Sequence, residues 1–392
     1  MIRIAYVVDH LHMGGAQRHL LQVTAGLDRE AYEAEIWSCA AVPGELAERF
    51  DALGVPVHSF GIESTLSSPR TLAACRRVAG QWRSRGVHIV HGYLFEGNLL
   101  GAIAGRLAGC PVVIASKRSL DRYKRRDHLI AAWLTNHLAH RVTVNAEAVR
   151  ALVLEHERCP AGKIINIPNG VPLTGAGDNG RPASGSKDGL QVGMVGRLGW
   201  KKGYDHALRA FDRVRQEHPG ARLDIIGDGD LREELPAQAR ELGLGESVRF
   251  LGQRDDVAER MRQFDCYVLS SIIEGMPNAL LEAMAQGCAA VTTSAGGSAE
   301  VVEDGKSGLV VPPGEPERLA EAICRILQDP AFAKELGDSA RERVFTQFSE
   351  TAMLSALDTL YREALSQSGF KEKRPQTDVS SRAGLSKTSP LR

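Results

Sequence analysis

Apolar positions along this chain fall into short unbroken runs and helix-spaced stripes, and the two alternate from the first residues onward. In the first half the runs IRIAYVV, EAEIWSCA, VHIVHGYLF and PVVIAS have the length and continuity of strands buried on both faces. Gly14-Gly15 follows the first run, and a helical stretch from about Ala16 to Leu27 follows the glycines. Such alternation predicts a parallel sheet covered by helices on both faces. Residues 168–189, PNGVPLTGAGDNGRPASGSKDG, carry no apolar period and are dense in Gly, Pro, Ser and Asn, which predicts a linker.

A second series then begins: LQVGMVGRL, a helix near 204–217, ARLDIIGDG, a helix near 231–242, SVRFLG, a helix, CYVLSS, a helix, AAVTTS and SGLVVPPG. Residues 316–329 and 331–366 read as helical, with breaks at Pro330 and near Phe348. The expected class is α/β, with two doubly wound lobes at 1–167 and 190–346 joined by the 168–189 linker. A helix over 347–368 can pack back on the first lobe, and 369–392, basic and without period, is expected to be a disordered tail. Tandem lobes of this kind place a ligand in the cleft between them, at the carboxyl ends of the strands.

Composition narrows the function classes. Forty-eight basic and 48 acidic residues give a formal net charge of zero, which argues against a nucleic-acid binder. The seven cysteines include no C-x-x-C pair, and no apolar run reaches the roughly 18 residues that a membrane span needs. The start, MIRIAYVVDH, is a strand pattern without signal-peptide regions, so a mature protein of the reducing cytoplasm is expected. One stretch departs from the charge balance: KRSLDRYKRR, Lys117 to Arg126, has six bases and one acid. It is either a solvated approach to a helix or a surface for anionic lipid head groups at the inner face of the plasma membrane or for a diphospholipid acceptor.

The densest chemistry lies in SSIIEGMPNALLEAMAQG, residues 270–287. Pro277 suits the first turn of a helix and Gly287 the residue past its end, while Asn278, Glu282 and Gln286 form a polar stripe. In one reading Ser271 and Glu274 form a capping box and Glu282 lies on a solvated face. The neighbouring loop GMVGRLGWKKG favours another, because it brings Arg197, Lys201 and Lys202 to the end of a strand. Fixed cations and the free amides of a helix start suit a diphosphate. Glu282 can accept the hydroxyls of a ribose and Glu274 those of a second sugar, since a carboxylate accepts with both oxygens. SAGGSAE, with Gly296, Gly297 and Glu300, ends the next strand in the same register. This constellation fits a nucleoside diphosphate sugar.

The set VGRLGWKKG, EGMPNALLEAMAQG, GGSAE, IPNGV and Gly14-Gly15 resembles the retaining glycosyltransferases of the GT-B class numbered family four. The resemblance implies two Rossmann-like lobes, the first binding the acceptor and the second the nucleotide sugar. It implies that Arg197 and Lys202 neutralise the diphosphate. Glu274, with the adjoining backbone of Gly275, Met276, Asn278, Ala279 and Leu280, then holds the donor sugar, Glu282 holds the ribose, and Gly14 and Gly15 approach phosphate or acceptor. Related enzymes have a histidine by the donor sugar near His91, many as His-x-His, where this chain has His91 and Tyr93. Front-face transfer with retention needs neither a carboxylate nucleophile nor a metal, so no cofactor is expected. UDP is the more common nucleotide in the family, with GDP an alternative, and acceptors lie in exopolysaccharide or cell-envelope glycan synthesis. Two further readings compete. A nucleotide-sugar epimerase shares the two-lobe architecture, whereas a dinucleotide oxidoreductase fits poorly, because GMVGRLGWKKG departs from G-x-G-x-x-G. GDGD, with Asp228 and Asp230, reads as a glycine-flanked turn rather than as a metal ligand pair.

Overall fold

The computed structural model describes residues 1–42, 44–62, 68–120, 125–172 and 190–370. The first lobe is a seven-stranded sheet of β1 (Ile2–Val8), β2 (Tyr32–Ala40), β3 (Val57–Ile62), β4 (Ile89–Tyr93), β5 (Val112–Lys117), β6 (Arg141–Val144) and β7 (Ile164–Asn166), in the order β3-β2-β1-β4-β5-β6-β7. The second is a six-stranded sheet of β8 (Gln191–Val195), β9 (Arg222–Ile226), β10 (Val248–Phe250), β11 (Cys266–Leu269), β12 (Ala290–Thr293) and β13 (Leu309–Val311), in the order β10-β9-β8-β11-β12-β13. All these pairings are parallel. Each sheet reverses its winding beside its first strand, between β1 and β4 and between β8 and β11. At such a switch point the flanking loops diverge and leave a crevice. The loops that open these two crevices are the ones with the candidate residues.

The cores follow from strand parity. Ile2, Ile4, Tyr6 and Val8 of β1 face one layer with Leu20 and Val23, whereas Ala5 and Val7 face the other with Trp37 and Trp82. A single apolar cluster also runs across the lobes, from Val144, Ala146 and Val149 to Met276, Val301 and Phe348. The predicted helix over 204–217 is Tyr204–Glu217, and the one near 231–242 is shorter, Glu234–Glu241, with Pro236 in its first turn, where a missing N–H costs little.

The chain crosses between the lobes at two places that lie side by side. Val171 N donates to Phe348 O at 2.9 Å and Glu350 N to Val171 O at 3.0 Å. The first residues of the expected linker are therefore pinned, while 173–189 lie outside the described residues. After the second crossing the helix Glu350–Gln367 packs Met353, Leu357, Leu360 and Tyr361 into the core of the first lobe. Of the expected tail, 371–392 lies outside the described residues.

Candidate active site

The loop after β8 and the loop after β11 are stitched together. Ile272 N donates to Lys201 O at 2.7 Å, and Ser270 Oγ donates to Lys202 O at 2.8 Å. Gly203, at φ +61, lets this happen, because a Cβ there would lie 2.3 Å from Ser270 O. The stitching aims Lys202 Nζ at Glu274 Oε2, 2.5 Å away, and Ser271 Oγ donates to the same oxygen at 3.1 Å. Both charged side chains keep some access to solvent, 23% and 15% exposed. The capping box does not form. The helix runs Asn278–Ala285 with Pro277 as its N-cap, so Glu274 lies before it, and no side chain caps its first turn. The amides there are free to meet a ligand.

Glu282 follows one turn further in and is not on a solvated face. Its Oε1 lies 3.4 Å from Nη2 of Arg18, which stands on the first-lobe helix Gly15–Gly26 just past Gly14. Burial raises the carboxyl above its ordinary 4.5, and the Arg18 charge opposes that rise. A diol that binds the ionised form therefore loses affinity as pH falls through the raised value. UDP affinity is expected to decline at a higher pH than an unperturbed carboxylate gives, and Glu282→Gln should flatten the profile in calorimetric titrations.

Arg197 stands apart from Lys202 and Glu274. It is 70% exposed and pairs with Asp230 at 3.0 Å. Its charge nevertheless reaches His10 of the first lobe, whose pKa is lowered by burial, then by His12 and by Arg197. Arg197 thus marks the rim of the cleft. Lys201 lies 5.9 Å from the Trp200 ring. Asp228 accepts from Gly229 N at 2.8 Å and pairs with Arg232 at 2.7 Å, so each aspartate of GDGD already has an arginine, as befits a turn.

Three expectations need correction. His91 is 0% exposed, its Nδ1 lies 2.8 Å from the Tyr361 hydroxyl, and its ring neighbours are Tyr6, Tyr93 and Tyr361, so it is packed beneath the cleft surface instead of standing exposed on the cleft wall. The SAGGSAE loop serves the fold. Cβ atoms at Gly296 and Gly297 would lie 1.9 and 2.1 Å from the carbonyl oxygens of Glu274 and Gly275, so the bare backbone seats the Glu274 loop. Glu300 reaches into the first lobe and accepts from Glu147 N at 2.8 Å and Ala148 N at 2.9 Å, capping the helix Glu147–His156. Glu300→Ala should cost about 1–2 kcal/mol in urea unfolding through loss of that cap. The basic cluster is not one surface either. Lys117 pairs with Glu157 at 2.8 Å with both buried, and breaking such a pair costs roughly 3–5 kcal/mol. Arg118 turns inward as well, its guanidinium donating to Asn169 Oδ1, and residues 121–124 lie outside the described residues.

With this geometry in view, residues 178–343 match the family Glycosyl transferases group 1, and residues 14–170 match the Glycosyl transferase 4-like domain. The chain belongs to the group 1 glycosyltransferases. It is 35% identical over 235 residues to an exopolysaccharide phosphotransferase of Streptomyces coelicolor, a match covering 57% of this chain but only 24% of that relative's length. It is 26% identical over 381 residues, 92% of this chain and 96% of the relative, to the Escherichia coli UDP-Gal:alpha-D-GlcNAc-diphosphoundecaprenol alpha-1,3-galactosyltransferase. The crystal structure of Anabaena HepE in complex with UDP and glucose matches with a TM-score of 0.80 at 22% identity, over 92% of this chain and 100% of that one. The two-lobe GT-B fold is shared.

Sequence reasoning passed over two residues that join the lobes of this chain. Asn169, 3% exposed, donates through Nδ2 to Met276 O at 3.1 Å and to Asn278 Oδ1, and through its backbone N to Met276 Sδ at 3.2 Å. It thereby fixes the helix tip from the lobe crossing. Arg18, four residues past Gly14 in GGAQR, gave a signal only through its place after the glycine turn.

Proposed function

We propose that the chain transfers a sugar from a nucleoside diphosphate sugar, with UDP as nucleotide, to a carbohydrate or lipid-linked acceptor in exopolysaccharide or cell-envelope glycan synthesis, with retention of configuration. The observation that carries this reading is the Lys202–Glu274 pair at 2.5 Å beside an uncapped helix tip, with Glu282 one turn behind it and the Gly14-Gly15 turn opposite. The pair is a resting arrangement in which cation and carboxylate neutralise each other. When donor enters, Lys202 turns to the diphosphate and Glu274 is released to accept hydroxyls of the sugar. Leaving-group charge then meets Lys202, Arg197 and the free amides, the preorganised kind of stabilisation that dominates such reactions. A Cβ at Gly15 would meet no protein atom within 4 Å, so packing gives no reason for a glycine there, whereas ligand approach does. UDP in HepE and the UDP-Gal and diphosphoundecaprenol in the name of the E. coli relative support the donor and acceptor classes.

No metal is needed in this reading, because Arg197 and Lys202 carry the positive charge. Turnover is expected to survive excess chelator unchanged. No helix among the described residues is long and apolar enough to cross a membrane. None of the seven cysteines forms a disulfide, which suits a reducing cytoplasm as the place of action. The test is a panel of UDP- and GDP-sugars, followed for slow hydrolysis and for products by mass spectrometry. Release of UDP with retained anomeric configuration supports the proposal, and an epimerised sugar still joined to its nucleotide contradicts it.

A further inference from the structure

Four first-lobe side chains crowd together beneath Gly275: His19 on the helix Gly15–Gly26, His91 and Tyr93 on β4, and Arg118 just past β5. The His91 and His19 ring centres lie 4.7 and 5.9 Å from that of Tyr93, and the guanidinium carbon of Arg118 lies 6.0 Å from it. His91, Tyr93 and His19 are 0%, 1% and 2% exposed. Yet His91 Nε2, the Tyr93 hydroxyl and His19 Nδ1 have no hydrogen-bond partner among the described residues. Each such group costs roughly 1–3 kcal/mol when left unsatisfied.

Arg118 adds a charge to these groups. Its partners are the amide oxygen of Asn169 and the face of Tyr93, with no carboxylate among the described residues. Lys117, one residue earlier, points the other way and has Glu157. Of two adjacent bases, one meets a carboxylate and the other meets none among the described residues. Arg118 is half-buried, and a cation drawn partly out of water without a countercharge is retained where an anion arrives from outside. Both imidazoles are neutral, held below their ordinary range by burial and then by Arg118, His91 at about 3. With its proton on Nε2, His91 accepts at Nδ1 from Tyr361 and offers a donor to the cluster. The position is decisive. A Cβ at Gly275 would lie 2.4 Å from Arg118 O, and Asn169 links Arg118 to Asn278 at the helix tip.

We propose that Arg118, with Tyr93, His91 and His19, forms a subsite at the floor of the cleft for an oxyanion, phosphate or carboxylate, carried by a reacting substrate. The subsite rests on reading the cleft as a place of glycosyl transfer. Its oxyanion comes either from the donor diphosphate or from an acidic group on the acceptor.

Three proteins decide the matter: wild type, Arg118→Met and Arg118→Lys. Calorimetry with UDP is the first arm, and thermal unfolding of UDP-saturated protein with inorganic phosphate is the second. At least tenfold weaker UDP binding by Arg118→Met, partly restored in Arg118→Lys, assigns the donor diphosphate. Equal UDP affinity, together with a phosphate-induced rise in Tm that Arg118→Met loses, assigns an acidic acceptor. Without ligand, Arg118→Met is expected to melt at or above wild type, since it removes an uncompensated charge. A much lower Tm marks a structural arginine and overturns the proposal, as do equal UDP affinity and equal phosphate response in both proteins. Wild type that fails to take up UDP sinks the reading of the cleft, whereas a phosphate response that needs Arg118 would still uphold the subsite.

Discussion

Lys202→Ala is expected to lower kcat roughly 10²–10³-fold, the scale on which removing one preorganised charge donor acts. The effect should fall mainly on kcat, because departure of the nucleoside diphosphate is the step at which new charge appears on phosphate oxygen. The fold should persist. Lys202 lies in the turn after β8, its backbone is held by Ser270, and Ser271 still donates to Glu274 once the ammonium is gone. Lys202→Arg should recover only part of the rate, since a planar fork does not reproduce a point contact. Arg197→Ala should be milder, because its guanidinium is already shared with Asp230 at the rim. Steady-state and single-turnover rates with the best donor of the panel check all three variants, and near-normal turnover in Lys202→Ala would refute its assigned role.

Gly275→Ala is the second large effect. Gly275 belongs to the donor loop, but what confines it is the other lobe, since its added Cβ would stand 2.4 Å from Arg118 O and 3.1 Å from Arg118 C. Backbone cannot fold away as the end of a long side chain can, so either the lobes part or the loop carrying Glu274 shifts. A displacement of about 1 Å at a reacting centre costs on the order of 10²-fold. The expected result is a transfer rate reduced about 100-fold with far-UV circular dichroism unchanged, because each lobe keeps its own core. Gly14→Ala provides a contrast. Its Cβ would press on Gln17 Oε1 at 2.5 Å, the far end of a flexible side chain that can give way.

Both sheets were legible in the sequence because parallel strands buried on two faces leave unbroken apolar runs, as in IRIAYVV and CYVLSS. Strands such as β6 and β7, four and three residues long, left no comparable trace. Glu274 and Glu282 stood out because both carboxylates and the helix between them share one short stretch. What the sequence hid was direction and distance. Lys117 and Arg118 look alike in a string of bases, but strand parity sends them to opposite sides, one to Glu157 and one to Asn169. The sequence placed His91 at a strand end but not its depth, which is set by Tyr361, 270 positions away on the last helix, at its Nδ1. Asn169 sits in a segment that reads as linker, and its second-lobe partners lie more than 100 residues away. Glu300 lies in a stretch read only as a strand end and closes a helix of the opposite lobe.

The central claim is that Lys202, the tip of the helix Asn278–Ala285 and Glu282 together grip a nucleoside diphosphate between the lobes. Titration of UDP into wild type, Lys202→Ala and Glu282→Gln in a calorimeter tests it most directly. Saturable one-to-one binding by wild type is expected, with weaker binding in both variants and steeper pH dependence in wild type than in Glu282→Gln. No heat of binding for wild type, or equal affinity in all three proteins, would contradict it.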